Sequence, residues 1–277
     1  MSALPGDCPA GLRAALSARD AQLGELWREG ARAYGRADSS EGALFLRWSA
    51  HAADRAVLAH EASTRDAVGA EGPLRSPPVL ARGEGWLLER AVTDGPLAGV
   101  AAIGAVVAAA DELAGLALPP LTGRRARDPV AVARRRLRSL RTPVGRDLLA
   151  ARRLLARSPL PEVTSHGDFH RGNLLLDAGR PWVVDWELLA RRPACFDLMQ
   201  LWATLDDATD RERLLEAAVA LVGEGRRRHV LELRYVLLVR TIVAKLAPTA
   251  AFHADPEGGQ ALVALLPEVR AAARTSL

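Results

Sequence analysis

Ser165-His166-Gly167-Asp168-Phe169-His170-Arg171-Gly172-Asn173-Leu174-Leu175-Leu176-Asp177, continued by Val183-Val184-Asp185-Trp186-Glu187, is the stretch on which the reading of this chain turns. It is an island. On its N-terminal side, apolar residues at helical spacing predict helices over Leu97–Leu118, Pro129–Leu140 and Gly145–Arg157. On its C-terminal side they predict helices over Ala194–Leu205, Asp210–Val222, Arg227–Leu246 and Gly259–Ala272. From Val163 to Glu187 that spacing is lost. Two short apolar runs, Asn173–Leu176 and Trp182–Val184, flank the turn Asp177-Ala178-Gly179-Arg180, which predicts a β-hairpin set within helices.

The polar residues of the island are the ones that phosphoryl transfer requires. Its transition state is loose, so catalysis consists of positioning and charge stabilisation. One carboxylate must orient the attacking hydroxyl and accept its proton. An asparagine and a second carboxylate must hold magnesium against the nucleotide phosphates. Asp168 and Asn173 bracket a loop short enough to turn both side chains into one cleft, and Asp185 ends the second hairpin strand, which returns it beside Asn173.

The string resembles the signature of the aminoglycoside phosphotransferase and choline kinase superfamily: His-Gly-Asp-x-His-x-Gly-Asn, an apolar strand, then Asp-Trp or Asp-Phe. His166, Gly167, Asp168, His170, Gly172, Asn173 and Asp185 stand at its positions. The resemblance implies an α+β, protein-kinase-like two-lobe fold, with a small N-terminal β-sheet lobe over residues 1–92 and a mainly helical C-terminal lobe over residues 93–277. It implies that Asp168 is the general base and that Asn173 and Asp185 are the magnesium ligands. His166 and Asp197 then brace the catalytic loop. The implied cofactors are ATP or GTP with Mg2+.

The N-terminal third fits that fold. The first 25 or so residues are expected to be helix, with Leu12, Leu16 and Leu23 on a rough helical period. Strands are expected over Leu23–Arg28, Ala31–Ala37 and Ala43–Trp48, a helix over Ala50–Val68, and strands over Pro78–Ala81 and Trp86–Val92. In that helix Ala53, Val57, Leu58 and Ala62 share one side. A kinase fold pairs a basic residue on its third strand with a glutamate on the next helix, and by resemblance these are Arg47 and Glu61. The family's lysine is absent, because Lys245 is the sole lysine of the chain. Gly30, between the first two strands, marks the expected phosphate-cradling turn. The backbone between Glu89 and Ala91 is expected to hydrogen-bond adenine.

Asp185 lies 12 residues before Asp197 and Ala-Pro-Glu does not occur, so the long activation segment of a protein kinase is missing. The expected acceptor is a small-molecule hydroxyl, foremost on an aminoglycoside or other antibiotic. Choline, a sugar or an amino alcohol is the alternative, and a nucleotide-binding pseudokinase is a third reading. Residues 201–277 carry ten acidic and ten basic side chains, which neither demands nor excludes a polycationic acceptor. Asp206, Asp207, Asp210 and Glu187 are candidate acidic lining, and Trp186 and Trp202 are candidate stacking surfaces.

Composition narrows the remaining classes. With 277 residues, 49% hydrophobic and 25% charged, the chain is ordinary for a globular protein. A net charge of +4 and a pI of about 9.8 come from scattered arginines, which do not make a nucleic-acid surface. Cys8 and Cys195 have no spacing for a disulfide framework or a metal site. Asp111 and Glu112 interrupt the Ala- and Gly-rich run Leu97–Leu118, so no membrane span is expected. No secretory signal is evident, no obligate protein partner is expected, and a cytoplasmic location follows.

Overall fold

The computed structural model describes residues 5–69, 71–92, 99–118, 142–246 and 255–275. The helix expected over Pro129–Leu140 lies outside them. The chain divides into two compact units. The first gathers the N-terminal residues to 92 with residues 172–189. The second gathers residues 99–116, 142–171 and everything described from Ala190 onward.

The first unit is built on an antiparallel sheet of five strands: β1 (Gln22–Glu29), β2 (Arg32–Ser39), β3 (Gly42–Ser49), β4 (Val79–Gly83) and β5 (Trp86–Arg90), in the order β1-β2-β3-β5-β4. Side chains alternate across a strand, and here the two faces differ in character. Ala33, Ala37, Leu44, Leu46, Trp48 and Leu88 point to one face. There they pack with Leu12 and Leu16 of helix α1 (Ala10–Ser17) in a closed apolar core. Tyr34, Phe45, Arg47 and Glu89 occupy the other face, with Tyr34 opposite Arg47 and Phe45 opposite Glu89 in the register. The N-terminal helix is shorter than the sequence suggests because β1 begins at Gln22.

Helix α2 (Ala52–Val68) follows β3. Its buried residues are Asp54, Leu58, Glu61, Ala62, Thr64 and Arg65, so the stripe against the protein carries four polar or charged side chains besides its apolar ones. The apolar face expected from Ala53, Val57, Leu58 and Ala62 is therefore only half right: Ala53 and Val57 are half-buried. Leu58 and Ala62 meet Leu87 of β5 in a small second core.

The predicted hairpin is present as β7 (Leu174–Asp177) and β8 (Arg180–Val183), paired Leu174 to Val183 through Asp177 to Arg180. Ala178 and Gly179 both have positive φ, 48° and 74°, as a two-residue hairpin turn requires. The hairpin is fastened to the loop before β4. Val183 N–H donates to the Arg75 carbonyl at 2.7 Å, the Arg75 guanidinium stacks over Trp182, and the buried Trp186 indole donates to Ser76 Oγ at 3.1 Å.

The second unit is helical: α3 (Gly99–Gly115), α4 (Gly145–Ala156), α5 (Phe196–Trp202), α6 (Ala208–Val222), α7 (Arg227–Leu246) and α8 (Pro256–Thr275). It also holds a two-stranded ladder that the sequence pattern did not announce, β6 (Glu162–Ser165) with β9 (Ala190–Pro193). Helix α5 starts two residues later than expected. Cys195 takes the left-handed conformation (φ 65°), which separates the helix from the strand before it. Among the described residues no helix is long and apolar enough to cross a membrane. Both cysteines are free, and burial pushes the Cys195 thiol up to about 12.

Leu46 is fully buried between the sheet and α1, whereas Leu149 on α4 is 49% exposed. Leu46→Ala is expected to cost about 2–5 kcal/mol in denaturant unfolding followed by tryptophan fluorescence. Leu149→Ala is expected to stay within about 0.5 kcal/mol.

Candidate active site

In the second unit, β6 runs into the loop Ser165–Arg171, and one carboxylate organises that loop. Asp197 sits in the first turn of α5. Its Oδ1 accepts from Ser165 Oγ at 2.8 Å and from Gly167 N–H at 3.0 Å, and its Oδ2 accepts from His166 N–H at 2.8 Å. A buried carboxylate with three donors is well satisfied. His166 is fully buried, lies edge-on to Phe169, and accepts the Asp168 N–H on Nδ1 at 3.3 Å. Gly167 has φ +80°, a conformation that L side chains rarely adopt, at the bend that turns the chain toward Asp168.

Gln200, one turn further along α5, was not visible as a site residue in the sequence. Its Oε1 accepts the Phe169 N–H at 3.2 Å and its Nε2 donates to Asp168 Oδ1 at 3.1 Å. His170 Nε2 lies 3.6 Å from Asp168 Oδ2, and Arg171 N–H donates to Thr204 Oγ1 at 3.3 Å. The loop is thus pinned at both ends to α5 and the turn after it. Burial pushes the Asp168 carboxyl up. His170, then the His166 charge and the Gln200 amide, outweigh it and hold the carboxyl below its ordinary value of 3.8. Asp168 is therefore a carboxylate throughout the neutral range.

In the first unit, a cavity of about 1000 Å3 opens on the non-core face of the sheet. Arg47, Glu89 and Ala91 line it from the sheet, and Asn173 and Asp185 line it from either end of the hairpin. Trp27, Tyr34 and Phe45 form a half-exposed aromatic wall, with ring centroids 5.7–6.2 Å apart. Gly30 sits at the β1–β2 turn with φ +63° and does not border the cavity, although its neighbour Glu29 does.

Arg47 and Glu61 are ion-paired, both buried, as the third-strand and helix positions suggested. The pair belongs to a larger cluster. Arg65, four residues after Glu61 on α2, pairs with Glu89, while Arg47 reaches Glu89 at 3.5 Å and Arg65 reaches Glu61 at 3.9 Å. Burial opposes the Glu61 charge, but Arg47 and Arg65 hold its carboxyl below the usual range. Burial likewise opposes the Arg47 charge, and Glu61 and Glu89 keep its pKa raised.

Asp185 adopts the left-handed conformation (φ 64°). Its carboxylate, that of Glu61 and that of Glu187 bring oxygens within 4.8 Å of one another, an oxygen set of the kind a hard divalent cation takes. Glu61 Oε1 is buried with no hydrogen-bond partner among the described residues. Arg32 bridges Glu187, at 2.6 Å, and Asp54, at 3.3 Å.

Four other sequence candidates are engaged elsewhere, while Asp206 is exposed. Trp186 and Trp202 are buried, 0% and 4% exposed, so they pack and do not present stacking faces. Asp207 caps α6 by accepting from Asp210 N–H, and the buried Asp210 pairs with Arg213.

Residues 27–231 match the model of the phosphotransferase enzyme family described as APH. The chain belongs to that family. No curated protein matches. Among solved structures, a choline/ethanolamine kinase family protein from Mesorhizobium loti is 22% identical, with 91% of this chain and 88% of that one covered and a TM-score of 0.57. A putative fructosamine-3-kinase from Thermobifida fusca is 19% identical over 95% and 98%, with a TM-score of 0.58. The aminoglycoside phosphotransferase APH(4)-Ia in ternary complex with ADP and hygromycin B, a thermostable mutant, is 16% identical over 95% and 97%, with a TM-score of 0.56. These likenesses agree with the expected fold class, an N-terminal antiparallel sheet followed by a mainly helical region. The family makes the chain a small-molecule phosphotransferase with a hydroxyl acceptor.

Asp197→Ala would leave three buried donors without their acceptor and is expected to cost about 2–4 kcal/mol in thermal or denaturant unfolding. Gln200→Ala removes one hydrogen bond that orients the Asp168 carboxylate. It is expected to lower kcat about tenfold with little change in the KM for nucleotide, read from steady-state kinetics.

Proposed function

We propose that the chain transfers the γ-phosphoryl group of ATP to a hydroxyl of a small molecule, with Asp168 as the base and the cavity of the first unit as the nucleotide site. The observation that carries this reading is that Arg47, Asn173 and Asp185, chosen for three separate phosphate and metal tasks, line one cavity.

The residues fit their tasks individually. Arg47 offers a guanidinium, a planar fork suited to phosphate oxygens. The aromatic wall, Phe45 foremost, offers a face for a purine ring, and the backbone from Glu89 to Ala91 edges the same space. Asn173 and Asp185 would supply oxygen donors for magnesium, with Glu61 and Glu187 adding negative charge close to Asp185. A divalent cation held there would neutralise charge on the transferring phosphates. Asp168 stands five residues before Asn173 in the chain, and its hydrogen bonds fix the carboxylate that would accept the acceptor's proton.

For the acceptor we propose an aminoglycoside or related antibiotic as the first class to assay, followed by choline, ethanolamine and amino sugars. Purified protein with magnesium and ATP should release ADP when its acceptor is present. ADP release with an aminoglycoside and none with choline supports the antibiotic reading. Binding of nucleotide without turnover on any acceptor points to a binding module. Asp168→Ala is expected to lower transfer by about 10²–10⁴-fold while ADP affinity, measured by calorimetry, stays within about threefold. Near-normal turnover by that variant would remove Asp168 from the mechanism.

A further inference from the structure

The nucleotide reading leaves Arg65 without a task, although it is one of the most deeply buried charges in the chain. It is 3% exposed, it borders the same cavity as Arg47, and it sits on the inward stripe of α2. Burial lowers its pKa despite Glu89 beside it. A bulky charge at such a position costs stability unless its pairing does something that an apolar residue could not. A leucine or methionine would fill the space between α2 and β5, where Leu58, Ala62 and Leu87 already form an apolar cluster.

The contacts indicate what the charge does. Glu89 lies on β5 directly opposite Phe45 of β3, on the cavity face, and it is 4% exposed. Its Oε2 is the acceptor for Arg65 Nη1 in a close pair, and the same oxygen is 3.5 Å from Arg47 Nη2. Arg47 Nη2 makes its close pair with Glu61 instead. Two carboxylates therefore compete for Arg47, and Arg65 occupies one of them. Without Arg65, Glu89 would be a buried carboxylate with Arg47, 3.5 Å away, as its remaining cationic partner among the described residues. The pull on Arg47 would come from two sides, both within the sheet and α2 and neither toward a ligand. Electrostatic attraction at short range in a poorly solvated site is strong enough to reset a guanidinium.

We infer that Arg65 is a positioning residue: by neutralising Glu89 it keeps that carboxylate's hold on Arg47 weak, so that Arg47 stays in its close pair with Glu61 and available to an anionic ligand in the cavity. This rests on the reading of the cavity as a nucleotide site. It accounts for a chain without a lysine on this sheet. An arginine at position 47 can donate to Glu61 and still present further N–H groups, provided that Glu89 does not take them.

The test is a set of calorimetric titrations of the full-length protein with magnesium and ADP, and separately with adenosine, which lacks the phosphates. Arg65→Met is expected to weaken ADP about tenfold and to leave adenosine within about twofold. Glu89→Gln added to Arg65→Met should restore ADP to within about threefold of wild type, because no carboxylate then draws Arg47 away. Arg65→Lys, which keeps the charge, should do the same. If Arg65→Met does not fold, Arg65→Gln takes its place, with the same expected loss of ADP and retention of adenosine.

A purely structural role would weaken both ligands together or neither, and either result overturns the inference. So does a double variant that fails to recover. Wild-type protein that binds adenosine and ADP normally while Arg65→Met does too sinks only the role of Arg65. Wild-type protein that binds no nucleotide sinks the cavity reading and, with it, this inference.

Discussion

Four charges removed from water in one place set the terms for the first unit. Arg47, Glu61, Arg65 and Glu89 are each at most 7% exposed. Each would be prohibitively costly alone, and only the alternation of sign makes the group tolerable. Its geometry ties three elements together: β3 supplies Arg47, α2 supplies Glu61 and Arg65, and β5 supplies Glu89. Because each ion needs its partners, the helix cannot rotate or slide along the sheet without stranding a charge. The cost of burying the quartet is thereby converted into a fixed position for the Arg47 guanidinium at the edge of the cavity. An apolar contact of the same area would hold the helix as well, but it would not specify the rotation so sharply.

The second unit solves a similar problem with neutral donors. A loop with a positive-φ glycine and a buried histidine has little regular structure of its own, and Asp197 supplies what a ladder would have supplied. Three donors converge on its two oxygens, so the loop's backbone is fixed by a side chain from a helix separated from β9 by only two residues. The short β6–β9 ladder brings Ser165 opposite Ala190, which delivers the loop and the start of α5 to the same end of the ladder. Asp168 then receives Gln200 from the next turn of that helix. The Asp168 carboxylate is held by short contacts that trace back to α5 through Gln200 and Asp197.

Much of this was legible in the sequence. The hairpin announced itself through two apolar runs around an Ala-Gly turn, and helix α7 was predicted to its last residue, Arg227–Leu246. The five strands of the N-terminal sheet were found because glycines and an Asp-Ser-Ser turn separate them. The family resemblance pointed to Asp197 as a brace of the loop, and the loop's hydrogen bonds do run to it. What stayed hidden were partners that no period or motif marks. Gln200 is an ordinary helix residue until the fold brings Asp168 to it. Arg65 carries no sequence mark of its own, because the rule that charges face water is broken on the inward stripe of α2. The β6–β9 ladder escaped because four-residue strands such as Glu162–Ser165 and Ala190–Pro193 carry too few alternations to rise above their charged residues.

These hidden partners share a property that explains their invisibility. Each acts on a recognisable residue rather than on a ligand, so its identity is set by local geometry and not by the chemistry of the reaction. A base must be a carboxylate, and a metal site needs oxygens, which leaves a readable pattern. The group that orients the base can be any donor of suitable reach, and the group that shields Arg47 from Glu89 can be any cation within the pocket's back wall. The same reasoning applies to the lysine that is missing. Once a strand position carries arginine, whose several N–H groups can be shared among carboxylates, the surrounding charges must be apportioned. Arg65 and Glu89 are the structure's means of doing so, and they make sense only together with Arg47 and Glu61.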